Sequence, residues 1–71
     1  MPRKKRDIRR DYRTAGFHER QGKGDHTVYL HPLVQRHYAV DGRDGADALP
    51  YDERNPRLAL QALGDAQRKQ P

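Results

Sequence analysis

A chain of 71 residues and 8.3 kDa has room for one small domain and excludes a large pocket enzyme, because it barely buries a single core. Leu, Ile, Val and Phe supply only 11 of the 71 residues, 35% are charged and the net charge is +5, a composition that borders on disorder. Zero cysteines exclude disulfide scaffolds and Cys-based zinc sites, no apolar run nears the roughly 20 residues of a membrane span, and the basic start leads into Asp7 and Arg9, not into the apolar stretch of a signal peptide. A cytoplasmic protein is the default expectation.

In chain order, residues 1–6 form a basic, disordered N-terminus, and Arg3-Lys4-Lys5-Arg6 is either solvated or grips a phosphate backbone. A single domain is expected over 7–66. Ile8, Tyr12 and Ala15 recur at helical spacing ahead of Gly16 and predict an amphipathic helix over Asp7 to Ala15, with Arg6, Arg9, Arg10 and Arg13 on its exposed face. Phe17 to Gln21 reads as a short strand, and Gly22-Lys23-Gly24 as a tight turn or a close approach to a ligand. The runs His26 to His31 and Gln35 to Val40, separated by Pro32-Leu33-Val34, predict an antiparallel hairpin. Val28 with Leu30, and Tyr38 with Val40, are assigned to its core-facing side.

Asp41 to Glu53 is rich in Asp and Gly and reads as a long loop. Its Asp41, Asp44 and Asp47 lack the alternating ligands and closing Glu of a calcium loop. The last helix is expected to open at Asn55 as N-cap with Pro56 in the first turn, and to bury Leu58, Ala59, Ala62, Leu63 and Ala66. Residues 67–71 form a frayed tail. The expected core is Ile8, Tyr12, Phe17, Val28, Tyr29, Leu30, Tyr38, Val40, Leu58 and Leu63. The fold class is α+β, in the order α-β-β-β-α, with a three-stranded antiparallel sheet and two helices on one face.

Charge is distributed unevenly. Residues 1–36 hold ten basic side chains against four acidic, a net of +6, whereas residues 37–71 hold five basic against six acidic, a net of −1. A basic half on so small a chain points to a polyanion, and nucleic acid is the commonest one.

The segment from Gly16 to Tyr29, Gly-Phe-His-Glu-Arg-Gln-Gly-Lys-Gly-Asp-His-Thr-Val-Tyr, resembles the signature of the HicA family of toxin ribonucleases. That signature is Gly-aromatic, then Arg-Gln, a short Gly-rich basic loop, Ser-His or Asp-His, and an aromatic residue shortly after. The similarity extends more weakly over Ile8 to Leu63, and Asp25 stands where many members have serine. The resemblance implies a fold like the double-stranded-RNA-binding domain, ribosome-independent cleavage of mRNA, a catalytic role for His26, and neutralisation by a HicB-type antitoxin in a heteromeric complex. No cofactor is expected, and the histidine spacing offers no metal site.

Bottom-up chemistry leads to the same residue. RNA carries its own nucleophile, the 2'-OH, so cleavage needs a proton acceptor, a proton donor and stabilisation of charge on the phosphate. Histidine suits the proton role near neutral pH. Arg20 and Lys23 are the candidate phosphate ligands, and the backbone of Gly22 and Gly24 can approach the phosphate closely. Arg9, Arg10 and Arg13 are placed for duplex RNA, which is bound by shape through phosphates and 2'-OH groups. Asp25 can orient His26, and Tyr29 stacks on a base or packs across strands. His26 and His31 fall on opposite strand faces, so they do not share a metal. Two alternatives stand beside the ribonuclease: a non-catalytic RNA-binding module of the same fold, and a protein-interaction module that docks an acidic partner.

Overall fold

The computed structural model describes residues 3–69 and has the order α1 (Lys5–Thr14), β1 (His18–Gln21), β2 (Thr27–His31), β3 (Val34–Val40) and α2 (Pro50–Arg68). The strands form one antiparallel sheet in the order β1-β2-β3, and both helices pack on the same side of it, against each other and against β3. This is the α+β architecture that periodicity predicts.

The core is aromatic where aliphatic residues are scarce. Tyr12 of α1 stacks on Tyr29 of β2 at a centroid distance of 4.5 Å and 11° between planes, and meets Phe17 edge-on at 5.7 Å and Tyr38 at 6.0 Å. Such pairs contribute about 0.5–1.5 kcal/mol each beyond their buried area. Ile8, Val34, Val40, Ala48, Ala59 and Leu63 complete the cluster.

Val28, Leu30 and Leu58, assigned to the core from sequence, lie outside it. On β2 the buried residues are Thr27 and Tyr29, so alternation turns Val28 and Leu30 to the opposite, uncovered face. Leu58 is 40% exposed because the buried stripe of α2 runs through Asp52, Pro56, Ala59 and Leu63.

Both ends of the structure differ from the sequence expectation. The arm expected to be disordered is ordered from Arg3: Ala48 N–H donates to the Arg3 carbonyl at 2.7 Å, Lys4 pairs with Asp47, and α1 already starts at Lys5. Residues 1 and 2 lie outside the described residues. The first-turn N–H groups of Lys5 and Arg6 have no partners within the helix, and the Ala46 and Asp44 carbonyls of the following loop accept them at 2.9 and 3.1 Å.

The expected loop Asp41 to Glu53 ends early, because α2 starts at Pro50 and not at Pro56. Pro50 takes the N-terminal position that suits proline, and Asp52 Oδ2 accepts the Leu49 N–H at 2.8 Å. The same oxygen accepts Lys5 Nζ at 3.0 Å in an ion pair whose side chains are 7% and 1% exposed. Gly42, at φ +96°, leaves space for the Lys5 stem: a Cβ there would stand 3.1 Å from it. Pro56 is buried inside the helix. The C-terminal turn runs to Arg68 with Lys69 as its cap, so the part of the expected frayed tail at 67 and 68 is helical; residues 70 and 71 lie outside the described residues.

Candidate active site

Register builds the site. Arg20 pairs with Val28 and Val28 with Ala39, His18 pairs with Leu30, and Thr27 lies between Gln21 and Val40. One step further along each strand, Gly22, His26 and Asp41 fall side by side. Alternation then puts His18, Arg20, Val28, Leu30, His37, Ala39 and the Gly22-His26-Asp41 row on one face of the sheet, the face with no helix over it.

His26 is held from three directions. Gly22 N–H donates to the His26 carbonyl at 2.8 Å and His26 N–H to the Lys23 carbonyl at 3.0 Å, which closes the turn. Gln21 Nε2 donates to the Gly24 carbonyl at 2.7 Å and braces its tip. The imidazole lies directly on Gly22, where a Cβ would stand 2.8 Å from His26 Cδ2. The glycine is therefore required for the ring's position. His26 Nδ1 is hydrogen-bonded to Asp41 Oδ1, and the His26 side chain stays 40% exposed. A carboxylate on Nδ1 selects the tautomer with the proton there and leaves the Nε2 lone pair to accept one.

Arg9 anchors this row from below. Sequence reading puts it on the exposed face as an RNA ligand; its side chain is 5% exposed. Its Nη2 donates to the carbonyls of Asp25 at 2.7 Å, Gly42 at 2.7 Å and Val40 at 3.3 Å, its Nη1 to Asp44 at 2.7 Å, and its Nε to Thr27 Oγ1 at 3.0 Å. Those carbonyls belong to the residue before His26 and to the residues on both sides of Asp41. The guanidinium fork, with five donors in fixed geometry, thus ties together the two backbone segments that carry the pair.

Other expected site residues separate into two groups. Arg20 lies on the face of His26, one row along, and Lys23 projects from the turn; both are exposed and neither has an acidic partner among the described residues. Gly24 sits at the turn tip with φ +57°. By contrast, Arg10 pairs with Asp7 at 3.2 Å and Arg13 with Glu19 at 3.0 Å on the helix side. A cleft of about 260 Å³ there, lined by Arg9, Arg13, Glu19, Gln21, Thr27, Arg43 and Asp44 among others, has two of its three arginines, Arg9 and Arg13, already matched by acids.

Asp25 does not orient His26; Asp41 does, and Asp25 contributes its carbonyl to Arg9. Tyr29 is fully buried and does not meet a base. Its hydroxyl donates to Glu19 Oε2 at 2.5 Å; burial, with that bond, pushes its pKa up to about 12. The Tyr29 hydroxyl and then Arg13 hold the Glu19 carboxyl below the usual range against the opposing effect of burial. His31 turns away from the site, accepts the Leu33 N–H on Nδ1 at 3.0 Å and meets Phe17 edge-on.

Asp41 is the residue sequence reasoning missed, and Arg9 is the one it named for a different role. The two-residue turn between His31 and Val34 would, in an unbroken ladder, set His26 opposite Ala39. An irregularity between Tyr29 and His31 shifts the register by two residues and sets it opposite Asp41 instead.

Among the described residues no helix is long and apolar enough to cross a membrane, and no three His, Cys, Asp or Glu side chains converge as a metal group would require. Comparison of the chain with protein-family models, with curated proteins and with solved structures finds no match.

Proposed function

We propose that the protein is a small endoribonuclease in which His26, held by Asp41, moves the proton of a 2'-OH. The observation that supports this best is the His26–Asp41 pair itself: a partly exposed imidazole with a carboxylate on Nδ1, on an uncovered sheet face one row from Arg20. Neutral His26 takes the 2'-OH proton on Nε2 as the 2'-oxygen bonds to phosphorus. The bond to the 5'-oxygen breaks, that oxygen takes a proton from water, the hydroxide so formed takes the proton back from His26, and a 2',3'-cyclic phosphate remains. Arg20 and Lys23 offset the charge that gathers on the phosphate oxygens. No cofactor is needed, because the substrate brings its own nucleophile.

The resemblance of Gly16 to Tyr29 to the HicA signature extends the proposal to biology. The protein acts in the cytoplasm on mRNA as a toxin, and a HicB-type antitoxin neutralises it in a complex. The test combines growth arrest on expression with cleavage of RNA in vitro. His26→Ala is expected to lower the cleavage rate at least about 100-fold and to relieve arrest. Undiminished cleavage by that variant overturns the assignment.

A further inference from the structure

We propose that the open face of the sheet binds single-stranded RNA, with unpaired bases over His18, Arg20 and His37 and the scissile phosphate at His26. This rests on the ribonuclease reading above and names its substrate form and its surface. The floor of the face is Val28, Leu30 and Ala39, apolar side chains that the helices leave uncovered; Val28 and Leu30 are half-buried and Ala39 is exposed. Around that floor stand His18, Arg20 and His37, all exposed. Imidazole rings and guanidinium planes are surfaces on which unstacked bases stack. The acid in the row at its end, Asp41, is taken up by His26, so the face presents positive charge from Arg20 and the adjoining Lys23.

The first helix and the arm before it offer little unmatched charge for a phosphate backbone, Arg6 alone lacking an acidic partner there among the described residues; Arg36, Arg54 and Arg57, which also lack one, lie away from the pair. Arg3, Lys4, Lys5, Arg9, Arg10 and Arg13 are matched by Asp11, Asp47, Asp52, Asp44, Asp7 and Glu19 respectively. Much of the basic charge of the first half of the chain is thus spent on holding the fold, and the cations left without acidic partners around the pair include Arg20 and Lys23. The reaction makes the same selection. Attack by a 2'-oxygen requires it to line up opposite the departing 5'-oxygen, which the regular A-form duplex does not allow and an unpaired nucleotide reaches by rotation. An open three-stranded face with the histidine at one end suits a strand with splayed bases better than a duplex, which is contacted across its grooves.

The test titrates a short single-stranded RNA, made uncleavable by 2'-O-methyl groups, and the blunt duplex of the same sequence against the full chain. Fluorescence anisotropy at moderate salt gives the affinities. Single strand is expected to bind about ten-fold tighter than duplex, and Arg20→Gln or the pair His18→Ala and His37→Ala to weaken it about ten-fold. Arg6→Gln and Arg10→Gln on the helix side are expected to change it less than about three-fold. Equal or tighter duplex binding, or a larger loss from the helix-side variants, overturns the proposal, as does binding of neither RNA. Circular dichroism melts confirm that each variant is folded. The two readings fail separately: single-strand binding of this pattern without cleavage of unmodified RNA removes the ribonuclease and keeps the surface, whereas cleavage with KM unchanged in the sheet-face variants removes the surface and keeps the ribonuclease.

Discussion

Arg9 shows how a charged residue's role follows from its partners and not from its type. From sequence it is one of four arginines on a helix, yet a buried guanidinium must find acceptors for its donors or lose several kcal/mol of solvation. Five acceptors surround it, three of them main-chain carbonyls next to His26 and Asp41. Lysine keeps the charge but has a single nitrogen and cannot span these groups. Arg9→Lys is therefore expected to destabilise the fold by on the order of 3 kcal/mol. Arg10→Lys, at an exposed pair, is expected to cost less than about 0.5 kcal/mol. Urea unfolding of the two variants checks this, and equal midpoints would contradict the role given to Arg9. Gly22 makes a steric counterpart: a methyl group at 2.8 Å from the imidazole must push the ring off its seat, so Gly22→Ala is expected to reduce cleavage while leaving the protein folded.

At the scale of elements, what was legible in the sequence is what local spacing encodes. Ile8 and Tyr12 set the buried side of α1, the Gly-rich turn separates β1 from β2, and Pro32 marks the hairpin. Contacts distant in sequence set the rest. Asn55-Pro56 is a good local signal for the start of α2, but Lys5, 47 residues before Asp52, moves it to Pro50 by supplying the buried partner of the carboxylate. The Asp41 role depends on a strand irregularity that no turn residue announces, and the burial of Arg9 on a loop that returns from residues 40–44.

These alternatives for α2 differ in a measurable way. If Asp52 belonged to an exposed loop, Asp52→Ala would be nearly silent. With Asp52 serving both the Leu49 N–H and Lys5, the substitution leaves a buried ammonium without its counter-ion and is expected to cost about 3–5 kcal/mol. Lys5→Met combined with Asp52→Leu removes both charges and is expected to recover much of that loss. Thermal melts of the single and double variants decide, and a silent Asp52→Ala would place the helix start where local spacing puts it.

The whole molecule compensates for its scarcity of aliphatic residues with buried phenols, and this ties its stability to pH at both ends. Burial raises the pKa of Tyr12, and burial with the Glu19 bond pushes that of Tyr29 up to about 12. A group whose folded pKa lies above its unfolded value contributes fully below the unfolded value, about 10 for tyrosine. That contribution disappears as pH rises through the folded value. Stability is thus expected to be lost progressively from about pH 10 to pH 12 and above. Glu19 has the opposite sign: its folded pKa is depressed, so its contribution is present above the ordinary carboxylate value and is lost as pH falls through the folded one. The Tyr29 hydroxyl contributes to both limbs. Tyr29→Phe, which keeps the ring stacked on Tyr12, is therefore expected to make the acid limb shallower, because Glu19 loses its main stabilising partner. It also removes one of the two phenols behind the alkaline limb and leaves only the share of Tyr12. Urea midpoints measured across acid, neutral and alkaline pH for the wild type and Tyr29→Phe separate these effects. A variant whose pH profile runs parallel to that of the wild type at both ends would show that the Tyr29–Glu19 bond does not couple the core to solvent protons.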